Sequence, residues 1–214
     1  MNFIAYRKKI KNCNYNCKLD KNDDNLPIFF ECKKPEKVKY LVITEQPKIS
    51  TDDFKGEGTF KNDLRNIEYL SEKSMIKGLV NLLGSKFKES VLNDEGEFYW
   101  THHTKCPSRK KNQTKPKCAQ NYLLSDIEIF PNLEVIIAVS ADAANYLLHE
   151  FKKSENNNDW IWLEIGKIFG ANKEKFEITI KNMKLKFLSF PHTSGANPCN
   201  WLNEKLSILL KDIV

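Results

Sequence analysis

The sequence contains no apolar run approaching the ~20 residues that a membrane span requires. A membrane-spanning helix is therefore excluded as an expectation. The opening stretch, MNFIAYRKKIKNC, lacks the apolar segment and small-residue cleavage site of a secretory signal. The expected location is cytoplasmic. No internal repeat and no long low-complexity tract is visible, which argues against a solenoid. Histidine is scarce, with 4 in 214 residues, so each one can be weighed singly. Charge of either sign is in short excess: 34 Lys+Arg against 28 Asp+Glu leaves +6. That balance does not by itself imply a nucleic-acid partner.

What is present is a globular composition, 41% hydrophobic and 11% aromatic. The length suits one sizeable domain, or one domain with an extension, and is enough to bury a core. Six cysteines in a cytoplasmic chain suggest reduced thiols or metal ligands before disulfides. The charge excess is local. Lys105 to Lys117, KCPSRKKNQTKPK, carries Lys105, Arg109, Lys110, Lys111, Lys115 and Lys117 and no acid. These six bases equal the whole excess, since 34 − 6 = 28 matches the 28 acids. Such a segment suits a local phosphate contact; a solvated loop is the ordinary alternative.

Periodicity places strands at Val38–Thr44, Glu97–Thr101 and Leu133–Val139, and two more at Phe176–Ile180 and Lys184–Phe190 around a turn at Asn182. Helical spacing covers Ser74–Leu83, Cys118–Phe130, Ala141–Phe151 and Trp201–Ile213. Alternating strands and helices predict a mainly parallel sheet covered by helices. In such sheets the working residues sit just past the carboxyl ends of the strands. Three strand ends lead into residues able to do chemistry: Glu45-Gln46-Pro47, His102-His103 and His192-Thr193-Ser194.

These strand ends, in this order, resemble the uracil-DNA glycosylase superfamily, most of all its iron–sulfur-containing family 4 branch. The resemblance runs from about Val38 to Trp201. VITEQPK is similar to the G-E-x-P-G loop after the first strand, and YWTHHTKC to the strand ending in T-N-x-x-K-C. CAQNYLLSDIEIFPNLEVIIAVSADAANYLL is similar to the helix–strand–helix segment that a cysteine opens. IGKIFG matches a short I-x-x-x-x-G stretch, and SFPHTSGANP the H-P-S segment. The chain departs from the pattern at Thr44 and Lys48, where the family has glycines, at His102, where it has an asparagine that reads uracil, and at Thr193, where it has proline.

The resemblance implies a three-layer α/β sandwich with a central mainly parallel sheet flanked by helices. Residues 1–37 form an extension with a cysteine pair, packed as one unit with a domain over 38–214. It implies a base-excision repair enzyme that hydrolyses the N-glycosidic bond of a deaminated base, uracil by default, flipped out of DNA. Losing the base builds positive charge on the sugar and negative charge on the base. Glu45 would serve the sugar or the attacking water, and His192 the base oxygen. Gln46, Tyr69 and His102 would bind the base, and Arg109, Lys110, Lys111 and Ser194 the DNA backbone. Cys13 and Cys17, spaced to share one face if helical, would join Cys106 and Cys118 around a [4Fe–4S] cluster, with Cys32 as a substitute ligand. Zinc, or no metal at all, is the alternative. DNA is the expected partner, no membrane is involved, and a monomer is the default.

The bland readings differ by residue. Glu45 would otherwise be a solvated loop carboxylate and His192 a core or capping histidine. Adjacent His102 and His103 point to opposite faces of a strand, so His103 is expected to be a surface or packing residue. His149, late in a helix, is given no function. The competing functions are a non-catalytic nucleic-acid-binding module on the same fold, a glycosylase for another damaged base such as hypoxanthine, and a metal-dependent hydrolase around His102 and His103. The last lacks a carboxylate at recognisable ligand spacing.

Overall fold

Short runs of branched and aromatic residues build the centre of the molecule. The computed structural model describes residues 2–13, 30–45, 75–105, 115–140, 143–147, 177–180 and 182–190. YLVIT forms β1 (Tyr40–Thr44), FYWTH forms β2 (Phe98–His102) and VIIAV forms β3 (Val135–Val139). Every residue of these strands is buried, as unbroken apolar runs require when both faces of a parallel sheet are covered. β4 (Glu177–Ile180) and β5 (Met183–Ser189) form an antiparallel hairpin closed at the Ile180–Met183 pair. Asn182 takes the left-handed conformation there, φ 73°, which short polar side chains tolerate in tight turns. Along β5 the exposed Lys184 and Lys186 alternate with the buried Leu185 and Phe187.

The sheet order is β2-β1-β3-β5-β4, with β1, β2, β3 and β5 all parallel. The helices are α1 (Phe3–Lys11), α2 (Met75–Leu83), α3 (Ser85–Asn93) and α4 (Lys115–Glu128), with a further helical stretch at 143–147. Gly84, at φ +80°, breaks α2 from α3. Phe87 of α3 meets Phe98 edge-on, with ring centroids 5.9 Å apart, on the face that also carries Trp100 and His102. The other face carries Tyr99 and Thr101, which meet Phe130 and Asp126. Helices therefore cover both faces. The cause is topological: β1 to β2 steps one way along the sheet and β2 to β3 steps back, so right-handed crossovers land on opposite sides.

α1 belongs to the same core. Asn2 caps it by accepting from the Ala5 N–H at 2.8 Å. Tyr6 and Ile10 are fully buried in one cluster with the sheet. Phe3 meets Tyr99, itself against Phe130, while Lys9 donates to the Asn121 carbonyl at 2.8 Å and to Ser125 Oγ at 3.0 Å. The start of α1 thus lies by the end of α4, and the two helices run in opposite senses.

The element order matches the sequence expectation, with shifted boundaries. β1 starts at Tyr40 because Pro35–Lys37 make a 3-10 turn led by proline. β2 continues to His102. α4 starts a turn early, at Lys115, because Pro116 needs no N–H partner in a first turn. α1 and α3 are helices that periodicity left unassigned. The expected helix over Trp201–Ile213 lies outside the described residues, as do most of Ala141–Phe151 and the residue Phe176. No helix among the described residues is long and apolar enough to cross a membrane.

Candidate site at the carboxyl edge of the sheet

Four parallel strands end on one edge, and Glu45 and His102, two of the residues singled out in the sequence, lie along it. β1 runs into Glu45, β2 ends in His102, and β5 runs out through Phe190. His192, two residues past Phe190, lies outside the described residues. β1 and β2 stay joined beyond their strands: the His103 N–H donates to the Thr44 carbonyl at 2.7 Å, and the Thr104 N–H to the Glu45 carbonyl at 2.9 Å. Strand order reverses between β1 and β3. A crevice forms at such a switch point because the flanking connections leave to opposite faces. Glu45, half-buried, stands at that point.

His102 is held in an aromatic and hydroxyl cage. It is 1% exposed. Trp100 meets its ring edge-on at 5.3 Å, and Phe30, stacked on Trp100 at 4.7 Å, reaches it at 6.0 Å. Thr44, its register partner on β1, places Oγ1 2.7 Å from His102 Nδ1. Trp100 Nε1 donates to the same Oγ1 at 3.0 Å. Burial, and second the Lys105 charge, pull the imidazole down to about 3, so the ring is neutral. His102 Nε2 is buried with no hydrogen-bond partner among the described residues. His103 is the expected packing residue: it is 3% exposed and meets Tyr146 edge-on at 5.3 Å.

Lys105 corrects the charge assignment. The sequence groups it with the basic loop, yet it is fully buried. Its Nζ contacts Asp126 Oδ2 and Thr101 Oγ1 and donates to the His102 carbonyl at 2.8 Å. Burial lowers its ammonium to about 7, with Cys118 acting in the opposite direction, and burial raises the Asp126 carboxyl well above the usual range. The pair ties the end of β2 to α4 and is not available to a phosphate. The signal was readable: Asp126 shares the inward face of Tyr122, Leu123 and Ile127, where an acid needs a partner.

The described cysteines divide. Cys118, 5% exposed, opens the buried face of α4, and its Sγ accepts the Lys105 N–H at 3.2 Å. Cys13 follows α1, which ends at Lys11, so it does not continue the helix that would have put Cys13 and Cys17 on one face. The opposed senses of α1 and α4 carry Cys13 beyond Lys9 and Cys118 before Asn121 toward the same end of the helix pair. Cys17 and Cys106, the other two expected ligands, lie outside the described residues, so only Cys13 and Cys118 of the expected set are placed. Cys32 lies elsewhere. It lies beside Asp94 and Gly96, before β2, whereas Cys118 lies beside Lys105, after it. The five residues of β2, at ~3.3 Å each, separate them. Burial pushes the Cys32 thiol up to about 11, as expected of an inert packed thiol.

Gln46, Tyr69, Arg109, Lys110, Lys111, Ser194, Cys17 and Cys106 lie outside the described residues, as does His192. A cavity of about 750 Å³ opens at the opposite, amino edge of the sheet, among Lys39, Glu97, Asn132 and Glu134. It touches none of the expected site residues. No protein-family model matches this chain, and no curated protein matches it.

Proposed function

We propose that this protein is a DNA-repair glycosylase built as a three-layer sandwich of the uracil-DNA glycosylase type, acting on a deaminated base flipped out of DNA. One observation carries the reading. Glu45, just past β1, and His102, the last residue of β2, lie on the carboxyl edge of two adjacent parallel strands, with Glu45 at the sheet's switch point, where this class of sheet does its chemistry. Glu45 stabilises the positive charge that grows on the sugar, or orients the attacking water. His192 donates to the base oxygen as the bond breaks. His102, with Gln46 and Tyr69, receives the base. Arg109, Lys110 and Lys111 hold phosphates without reading sequence, and Ser194 contacts the backbone beside them. Cys13, Cys17, Cys106 and Cys118 would hold a [4Fe–4S] cluster, whose part is to tie the extension to the basic loop.

The test is an oligonucleotide carrying one uracil, incubated with the protein and then cleaved with alkali. Strand scission that disappears in Glu45→Ala and in His192→Ala is expected. Intact DNA binding with no scission on uracil, hypoxanthine or xanthine substrates would instead indicate a non-catalytic binding module.

A further inference from the structure

Two stretches of the chain carry bases and no acid. Residues 1–19 hold Arg7, Lys8, Lys9, Lys11 and Lys18, and residues 98–125 hold the bases of the loop segment. They are far apart in sequence, and the fold sets them side by side. α4 runs from Cys118, which accepts the N–H of Lys105 beyond the end of β2, toward Phe130, which meets Tyr99 near the start of β2. Its first turn, with Lys115 and Lys117, therefore lies at the carboxyl edge of the sheet. α1 runs in the opposite sense, so its end, with Lys8 and Lys11, comes to the same edge. Lys9 stands level with the gap between Asn121 and Ser125. At 1.5 Å per residue along axes ~8–10 Å apart, the backbones of the four lysines span about 15–17 Å.

Both helix ends hold these charges at a local cost. Cations in a first turn oppose the helix macrodipole, and α4 has two there and no acid. Along α1, like charges three and four residues apart repel, as Lys8 and Arg7 do with Lys11. Only part of this is offset. Arg7 pairs with Glu31 at 2.7 Å, and Lys9 donates to neutral oxygens of α4. Lys8 is exposed and has no ion-pair partner among the described residues.

We propose that the end of α1 and the first turn of α4 form one phosphate-binding surface, on which Lys8 and Lys11 join Lys115 and Lys117 along a nucleic-acid backbone. Duplex DNA carries one charge per ~1.7 Å of its axis, so several phosphates face a span of this length. Taking the polyanion to be DNA rests on the glycosylase reading above. DNA held here runs along the edge where Glu45 and His102 lie. The contacts are to phosphates and read no sequence. They give the amino-terminal extension a part in binding as well as in packing. An anionic lipid surface fits less well. Interfacial helices bury an apolar face, and Ile4 is the one large apolar side chain exposed among the described residues.

The experiment measures binding of the full-length protein to a short DNA duplex across a range of salt. Lys8→Ala with Lys11→Ala removes two phosphate contacts and should lower the slope of log K against log salt by roughly 1.5–2. Alanine is the best helix former, so α1 is kept. Lys8→Arg with Lys11→Arg should restore the native slope. Lys184→Ala with Lys186→Ala, exposed on β5, removes the same charge elsewhere and should leave the slope as it is. An unchanged slope in the α1 variant overturns the proposal, as does an equal fall in the β5 variant, which would make net charge the cause. Salt-sensitive binding to vesicles of anionic lipid, lost in the α1 variant while DNA binding stays native, would overturn it in favour of a membrane. Binding is read without turnover. A native protein that binds DNA with the expected slopes and cleaves no uracil strand therefore defeats the glycosylase reading and leaves this surface standing. A native protein that binds no DNA defeats both.

Discussion

Thr44 Oγ1 and His102 Nδ1 lie 2.7 Å apart at the paired ends of β1 and β2. Both residues replace others in the motif that this sequence resembles, and parallel register sets them opposite each other. A hydroxyl and an imidazole so placed form one buried unit, with Trp100 as its third member.

That unit makes stability fall in acid. The imidazole titrates at about 3 in the folded chain and near 6.5 when unfolded. Between those values the unfolded state binds more protons, so stability decreases as pH falls from about 6.5 toward 3, by up to ~1.4 kcal/mol per unit. Thermal melts across this range should show a shallower slope in His102→Asn than in the native protein. Equal slopes would contradict a neutral buried imidazole.

Lys105 and Asp126 should be far more sensitive singly than together. Removing one partner leaves a buried group uncompensated, at a cost of about 3–5 kcal/mol. Urea denaturation of Lys105→Met and Asp126→Leu should show that loss. The double variant should recover most of it, because an apolar pair of similar volume needs no partner. Additive losses in the double variant would mean that the pair does not interact.

The cysteines separate by place. Protein purified without oxygen should be brown and hold iron and sulfide, and Cys13→Ser or Cys118→Ser should bleach it. Cys32→Ser should keep its colour, since Cys32 sits by the other end of β2. A colourless protein with stoichiometric zinc would replace the cluster with a zinc site.

DNA affinity should depend on salt through the loop and not through Lys105. Removing two phosphate contacts with Lys110→Ala and Lys111→Ala should lower the slope of log K against log salt by roughly 1.5–2. The weakening should be about equal for normal and uracil-containing DNA, as backbone contacts carry no sequence information. A loss confined to uracil-containing DNA would place these lysines at the base.

The strands and their order could be read from the chain because buried parallel strands are written as short apolar runs, and β1, β2 and β3 are such runs. α3 could not, since SKFKESVLN carries few apolar residues and takes its helical state from Phe87 packing on Phe98 and Trp100. At the site, Glu45 and His102 were legible as residues that end strands. Lys105 was misassigned because a lysine beside a basic loop has the same local pattern whether it faces water or an aspartate more than twenty residues away.

By itself the sequence determined the element order, the carboxyl-edge position of Glu45 and His102, and the segment that holds the excess charge. Hydrophobic periodicity is local, and local pattern is enough for these. Only the tertiary structure decided that Thr44 is bonded to His102, that Lys105 belongs to Asp126, and that Cys32 stands apart from Cys118. Each depends on which strand or helix lies alongside which, a relation between distant segments that burial and hydrogen bonding settle only once the sheet has formed.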